Sequence, residues 1–257
     1  MGALFDSHCH LQDPRLAPDL EGVLGRARAA GVTHMVCCGT REEDWGPVLA
    51  LARGHREVLP MAGLHPWFVD RAAPGWDLRL RAVLTAGGVG LGEFGLDFAP
   101  GRPEQGLQEA AFRLQLELAR ELDLPVSLHC VRAWERFPAL LREHGIPAAG
   151  AVAHSFSGSA EVAVELQALG LHVSFSAAVA RPGSRRGSRA VAAVAPERLL
   201  LETDAPDLAP PGDLGDNEPG RLPWIAGEVA RMLNRSLEEV AEVTHRNARR
   251  VFRRLLP

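Results

Sequence analysis

Residues 199–206 read Leu-Leu-Leu-Glu-Thr-Asp-Ala-Pro, a short apolar run that ends directly in acidic and hydroxyl side chains. Similar apolar runs, each bounded by polar residues, glycine or proline and separated by helical patterns, recur along the chain and are predicted to be β-strands. The predicted strands are Leu4–Asp6, Val32–Cys38, Val58–Gly63, Val89–Glu93, Val126–Leu128, Ala151–Ala153, His172–Phe175 and Leu199–Glu202. The chain therefore alternates strands with helices.

The spacing of the strand ends favours a closed barrel over an open sheet. The ends are about 28 residues apart on average, the length of one strand–helix unit, and eight such units close a barrel. A doubly wound open sheet would show the same alternation, but no Gly-x-Gly-x-x-Gly turn follows the first strand. We therefore predict an α/β fold, a single-domain (β/α)8 TIM barrel over residues 1–257. The Pro/Gly-rich segment Ala209–Pro223 is predicted to be a long loop at its active face.

Periodicity predicts three of the helices clearly. A helix over Glu104–Glu121 is expected to bury one apolar face. That face is predicted to comprise Leu107, Ala111, Leu114, Leu118 and Leu122. A final pair of helices is predicted over Arg221–Leu233 and Leu237–Leu255.

Composition and charge exclude several classes of protein. The 257 residues are 46% hydrophobic and 23% charged, which excludes a disordered chain. No apolar stretch reaches about 18 residues, so no membrane span is predicted. Because no secretory leader and no CxxC pair are found, we expect reduced cysteines and a cytoplasmic protein. A monomer is favoured. The formal net charge is −4, so a polyanionic substrate would need local arginines or metal ions.

Metal-binding residue types lie where predicted strands end, which is the catalytic end of such barrels. His8 and His10 are two residues apart in an extended segment, so their side chains project to the same side. The candidate ligands are His8, His10, Glu93, His129, His154 and Asp204. Four imidazoles and two carboxylates suit Mg²⁺, Mn²⁺ or Zn²⁺ and exceed the needs of one catalytic ion, so we predict two divalent ions. A carboxylated lysine or a glutamate can bridge such a pair; the chain contains no lysine, so the predicted bridge is Glu93.

In combination, these motifs resemble the TatD-family deoxyribonucleases over nearly the whole chain. The matching segments are His8-x-His10, Gly92-Glu93-x-Gly95-Leu96-Asp97, His129, His154-x-Phe156-Ser157-Gly158, Glu202-Thr203-Asp204-Ala205-Pro206, Asn217-Glu218-Pro219 and Thr244-x-x-Asn247-Ala248. The resemblance implies that His8, His10, Glu93 and Asp204 hold one ion. It gives Glu93, His129 and His154 to the other, and it implies that His65 contacts the substrate phosphate.

Two positions depart from the family pattern. Phe98 stands where many members have tyrosine. Many members also place an arginine two residues after the histidine equivalent to His129, whereas here Arg132 lies three residues after it. Arg132 is therefore expected to bind phosphate from a shifted position or not at all. Asp97 and Glu202 are expected to orient the ligand imidazoles.

The resemblance implies phosphodiester hydrolysis, with nucleotides removed from the 3′ end of single-stranded DNA or RNA. Asp204, Glu93 and His65 are the expected catalytic residues, with Asp204 accepting a proton from water. There are two alternatives. One is a metal-dependent hydrolase of amide, lactone or other ester bonds, and the other is a metal-stabilised binding protein without catalytic activity. Trp67 and Phe68 could stack on a base, although packing is the simpler interpretation.

Overall fold

In the computed structural model, which describes residues 2–181 and 185–257, the strands form one parallel sheet. The strands of this described part are β1 Leu4–Cys9, β2 Val32–Cys38, β3 Val58–Ala62, β4 Gly90–Asp97, β5 Val126–Val131, β6 Ala151–Ala153, β7 His172–Phe175 and β8 Leu199–Leu201. Each strand pairs with its sequence neighbour, in the order β1 to β8. This order is that of a barrel and excludes the doubly wound alternative, in which the strand order reverses.

Helices alternate with the strands around the sheet. In the described residues, the α-helices are α1 Leu20–Ala29, α2 Glu42–Gly54, α3 Trp76–Thr85, α4 Gln105–Glu121, α5 Arg136–His144, α6 Ala160–Ala168, α7 Arg185–Ala193, α8 Leu222–Leu233 and α9 Leu237–Val251. None of them is long and apolar enough to cross a bilayer. The fold is therefore the predicted (β/α)8 TIM barrel.

Hydrogen bonds at the carboxyl ends of β1 and β8 bring the first and last strands together. The Asp204 amide donates to the His8 carbonyl at 3.0 Å, and the His10 amide donates to the Ala205 carbonyl at 2.7 Å. Buried Asp6 accepts from the amide and the hydroxyl of Thr203, at 2.9 and 2.5 Å. These contacts fix the segments that carry two predicted ligand groups.

The amino end of the barrel, called the base below, is closed by the last turn of α9 and the residues that follow it. Val251, Phe252 and Leu255 pack with Phe5 and Val36 in one buried apolar cluster. This end of the barrel is therefore filled with hydrocarbon.

The apolar face predicted for α4 was partly wrong. Leu107 is 46% exposed, whereas Gln108 and Gln115 are fully buried. The Gln108 amide bonds to the backbone of Asp97, and the Gln115 amide bonds to the backbone of Leu64. Long-range partners thus satisfy two polar groups that helical periodicity assigns to solvent. The predicted last helix also ends earlier, at Val251.

Candidate metal centre

The six predicted ligands converge at the carboxyl-terminal end of the barrel, called the mouth below. His8, Glu93 and His129 lie within β1, β4 and β5, and His10, His154 and Asp204 lie in the segments that follow β1, β6 and β8. Gly95 allows β4 to approach β5 closely, because a Cβ there would lie 1.9 Å from the His129 carbonyl oxygen. Glu93 and His129 thus lie on neighbouring strands, and the glycine at position 95 leaves no side chain between the two strand backbones at this point.

The buried carboxylate of Glu93 stands at the centre of the cluster and divides it in two. Its Oε2 atom lies 3.3 Å from His8 Nε2 and 3.4 Å from His10 Nε2. The same two nitrogens lie 3.7 and 3.6 Å from Asp204 Oδ1. One oxygen of Glu93 therefore belongs to a group formed with two imidazoles and a second carboxylate.

The other oxygen of Glu93, Oε1, faces a second group of imidazoles. It lies 2.8 Å from His129 Nδ1 and 2.7 Å from His154 Nε2. His65 Nε2 also approaches it, at 3.1 Å. Glu93 is thus placed to bridge two cations, while distance alone admits three histidines on this side.

Hydrogen bonding on the far side of each ring distinguishes His65 from His10. His10 Nδ1 lies 2.7 Å from the Cys38 carbonyl oxygen, which can only accept, so Nδ1 carries a proton and only Nε2 can present a lone pair, when the ring is neutral, to a metal. His65 Nδ1 instead accepts from the Trp67 backbone amide at 3.2 Å. The neutral His65 ring therefore carries its proton on Nε2, which makes it a hydrogen-bond donor toward Glu93.

The remaining three imidazoles also have acceptors behind them. His129 Nε2 faces Asp97 Oδ2 at 3.8 Å, and His154 Nδ1 faces Glu202 Oε1 at 3.4 Å. His8 Nδ1 lies 2.8 Å from Ser127 Oγ. A carboxylate or hydroxyl behind a ring favours the tautomer whose free nitrogen binds metal. Asp97 and Glu202 thus lie beside His129 and His154, and nothing in the sequence indicated Ser127.

The two carboxylates of the cluster favour positive charge on the groups around them. Burial lowers the pKa of His10, but the nearby carboxylates of Asp204 and Glu93 raise it to about 9. Burial raises the pKa of Glu93, but the charges on His154 and His65 hold it well below its usual range. Protons or divalent ions can supply this charge, and the nitrogen and oxygen donor set fits Mn²⁺ or Zn²⁺.

The cluster opens into a cavity of about 700 Å³ at the mouth. Three arginines line it: Arg15, Arg41 and Arg181. Arg15 is paired with Asp13 and Asp207, whereas Arg181 forms no ion pair within residues 2–181 and 185–257. Sequence reasoning did not single out Arg15 or Arg41, because they lie in loops whose path periodicity does not define. Arg132 is exposed and does not line the cavity.

A (β/α)8 barrel that gathers imidazoles around one bridging carboxylate at its mouth has the architecture of a metal-dependent hydrolase. The family model for the TatD related DNases matches residues 5–253. The chain belongs to the TatD family, whose members are metal-dependent hydrolases of ester bonds, so it is an enzyme of that type and not a binding protein alone.

Similar proteins cover almost the full length of the chain. A Cronobacter sakazakii protein named 3′-5′ ssDNA/RNA exonuclease TatD is 39% identical, over 97% of this chain and 97% of its own length. The Bacillus subtilis metal-dependent hydrolase YabD is 33% identical, over 97% of this chain and 99% of its own length. The crystal structure of YjjV, a TatD homologue from Escherichia coli, superposes with a TM-score of 0.92 at 29% identity, covering 97% of this chain and 98% of that one.

Proposed function

We propose that this enzyme is a 3′-to-5′ exonuclease that hydrolyses phosphodiester bonds of single-stranded DNA, and also of RNA, with two divalent metal ions. The observation that carries the proposal is the division of the cluster by Glu93, whose two oxygens face two separate sets of nitrogen donors. The name of the Cronobacter relative supports the polarity and the substrate class.

The ligand assignment follows from the donor groups. We propose that His8, His10, Glu93 and Asp204 hold one ion and that Glu93, His129 and His154 hold the other. His65 is left out of the second set because its Nε2 carries a proton. Ions of the Mg²⁺, Mn²⁺ or Zn²⁺ type at these positions would acidify water and polarise the phosphoryl oxygens. The hydrolase unit is proposed to comprise residues 1–257.

Asp204 is placed to accept a proton from the attacking water. Burial raises its pKa, but the nearby imidazoles of His10 and His154 lower it to about 2, so it is ionised at neutral pH. Its side chain lines the cavity and remains partly exposed. A carboxylate in contact with both the cluster and the cavity can take up a proton during bond cleavage.

His65 is placed to donate a hydrogen bond to the substrate phosphate. Burial lowers its pKa to about 4, so the ring is neutral near pH 7. Its Nε2–H group faces Glu93 Oε1 at 3.1 Å, and we propose that it donates to a phosphoryl oxygen when an ion takes up that carboxylate oxygen. Arg181 and Arg41 line the cavity and can contact neighbouring phosphates, whereas a contact from Arg132 would require nucleic acid that leaves the cavity.

A cleavage assay tests this function. The purified chain is incubated with a 5′-labelled single-stranded oligonucleotide and Mg²⁺ or Mn²⁺, with and without chelator, beside the matching duplex. We expect a ladder that shortens from the 3′ end of the single strand and disappears with chelator. Chelator-resistant cleavage, or hydrolysis of a lactone or carboxylic ester with no cleavage of the oligonucleotide, would contradict the proposal.

A further inference from the structure

Trp67 is a large aromatic side chain that remains exposed at the rim of the catalytic cavity. It lies in the turn that follows β3 and is 40% exposed, and it is one of the residues that line the cavity. Aromatic side chains that line a pocket beside a few polar groups commonly contact the ligand.

The ring is held in one orientation without being covered by the core. Its Nε1–H group donates to Asp97 Oδ2 at 2.5 Å. Arg102 Nε donates to the same oxygen at 3.0 Å, and the Arg102 guanidinium lies 3.9 Å from the centre of the indole ring. Asp97 thus fixes the edge of the ring, and Arg102 covers one face through a cation–π contact. Such a ring loses little conformational entropy when a second ring stacks on it.

The ring also adjoins the groups that are proposed to act on the phosphate. The centre of the Trp67 ring lies 4.8 Å from that of His65 and 6.4 Å from that of His129. A planar group stacked on Trp67 would therefore belong to a nucleotide that flanks the bond being cleaved.

We propose that Trp67, backed by Arg102, is a stacking platform for the nucleobase next to the scissile phosphate. This inference rests on the proposed nuclease function and specifies how it recognises substrate. Base–aromatic stacking is tolerant of sequence, because every base has a π-face. The platform therefore gives the enzyme a requirement for an unpaired base without a preference for one of the four bases.

A purely structural role for Trp67 makes a different prediction. If its N–H group served only to orient Asp97, which faces His129, then Trp67→Phe and Trp67→Leu would be equally harmful, since both remove the donor. A stacking platform tolerates phenylalanine, which keeps an aromatic face, better than leucine.

The test measures cleavage of two 5′-labelled single strands under Mn²⁺. One is an oligothymidylate, and the other is the same strand with abasic residues at its last two 3′ positions, which keeps the phosphates and removes the bases. The proteins compared are the wild type, Trp67→Phe and Trp67→Leu. The matched control is Trp224→Leu, because Trp224 is 38% exposed but does not line the cavity.

We expect Trp67→Leu to raise KM for the intact strand by about tenfold, with Trp67→Phe closer to wild type, and the abasic strand to raise the wild-type KM by a similar factor. With the abasic strand, Trp67→Leu should cause no further loss. Equal KM values for the two strands, equal effects of the two Trp67 substitutions, or an equal loss in Trp224→Leu would overturn the platform while leaving the nuclease function intact. Absence of metal-dependent cleavage of either strand by the wild type would overturn the function itself.

Discussion

The two ends of the barrel both bury histidine, but they place it among opposite charges. At the mouth, the carboxylates of Glu93 and Asp204 outweigh burial and raise the pKa of His10 to about 9. At the base, His172 is the first residue of β7, and burial together with the charges of Arg198 and Arg250 lowers its pKa to about 4. Burial lowers the pKa of both rings, so the sign of the neighbouring charge decides in which direction each of these two pKa values finally shifts.

The hydrophobic residues at the end of α9 and directly after it occupy the base with apolar groups, which do not bind ions. Val251, Phe252 and Leu255 fill the base, and no carboxylate pairs with His172 in the part of the chain that the structure describes. At the mouth, the ends of parallel strands bring carboxylates and imidazoles together. Changing the charge at the mouth should therefore alter catalysis, whereas changing it at the base should alter only stability.

Removal of the charge at the centre of the mouth is expected to have the largest effect. Glu93→Gln keeps the size of the side chain but would leave the two proposed ions without a bridging anion, so we expect activity to fall by about a thousandfold or more. Metal content, measured by mass spectrometry on the dialysed protein, should fall for both ions. Glu57→Gln is the control, since Glu57 pairs with Arg28 away from the mouth. Retention of two ions by Glu93→Gln would contradict the bridging role.

Substitution of His65 should separate catalysis from metal binding. His65→Ala removes a proposed hydrogen-bond donor to the phosphate but no proposed metal ligand. We therefore expect about a hundredfold loss of kcat with both ions retained. His129→Ala, on the same side of Glu93, should lose one ion. If His65→Ala loses an ion while His129→Ala keeps both, the two histidines have exchanged roles.

The sequence predicted the barrel and the candidate cluster because both follow from local patterns. Strands such as Val32–Cys38 are short apolar runs, and each predicted ligand lies in or just after such a run. What could not be predicted depends on contacts between distant residues. Gln115 is buried because Leu64 supplies both a donor and an acceptor, 51 positions away, and the orientation of Trp67 depends on Asp97 and Arg102.

Substitution at the base should have the smallest effect, limited to acid stability. The folded-state pKa of His172 is about 4, below the unfolded value of about 6.5, so its contribution to stability is complete above pH ~6.5 and is lost as the pH falls toward 4. His172→Gln removes this titration. As the pH is lowered from ~7.5 to ~4.5, the free energy of unfolding, measured with urea, should decrease in both proteins. The decrease should be about 2 kcal/mol smaller in the variant than in the wild type. Identical acid dependence of the variant and the wild type would show that His172 does not titrate with a lowered pKa. Because His172 lies at the base, hydrolase activity should be unchanged in the variant.

The position of bound metal tests the central claim most directly. Crystals of the protein soaked in Mn²⁺ should give two anomalous-scattering peaks about 4 Å apart, one beside each oxygen of Glu93. The peak near Oε2 should contact His8, His10 and Asp204, and the peak near Oε1 should contact His129 and His154 but not His65. A single peak, or peaks that Glu93 does not bridge, would contradict the account.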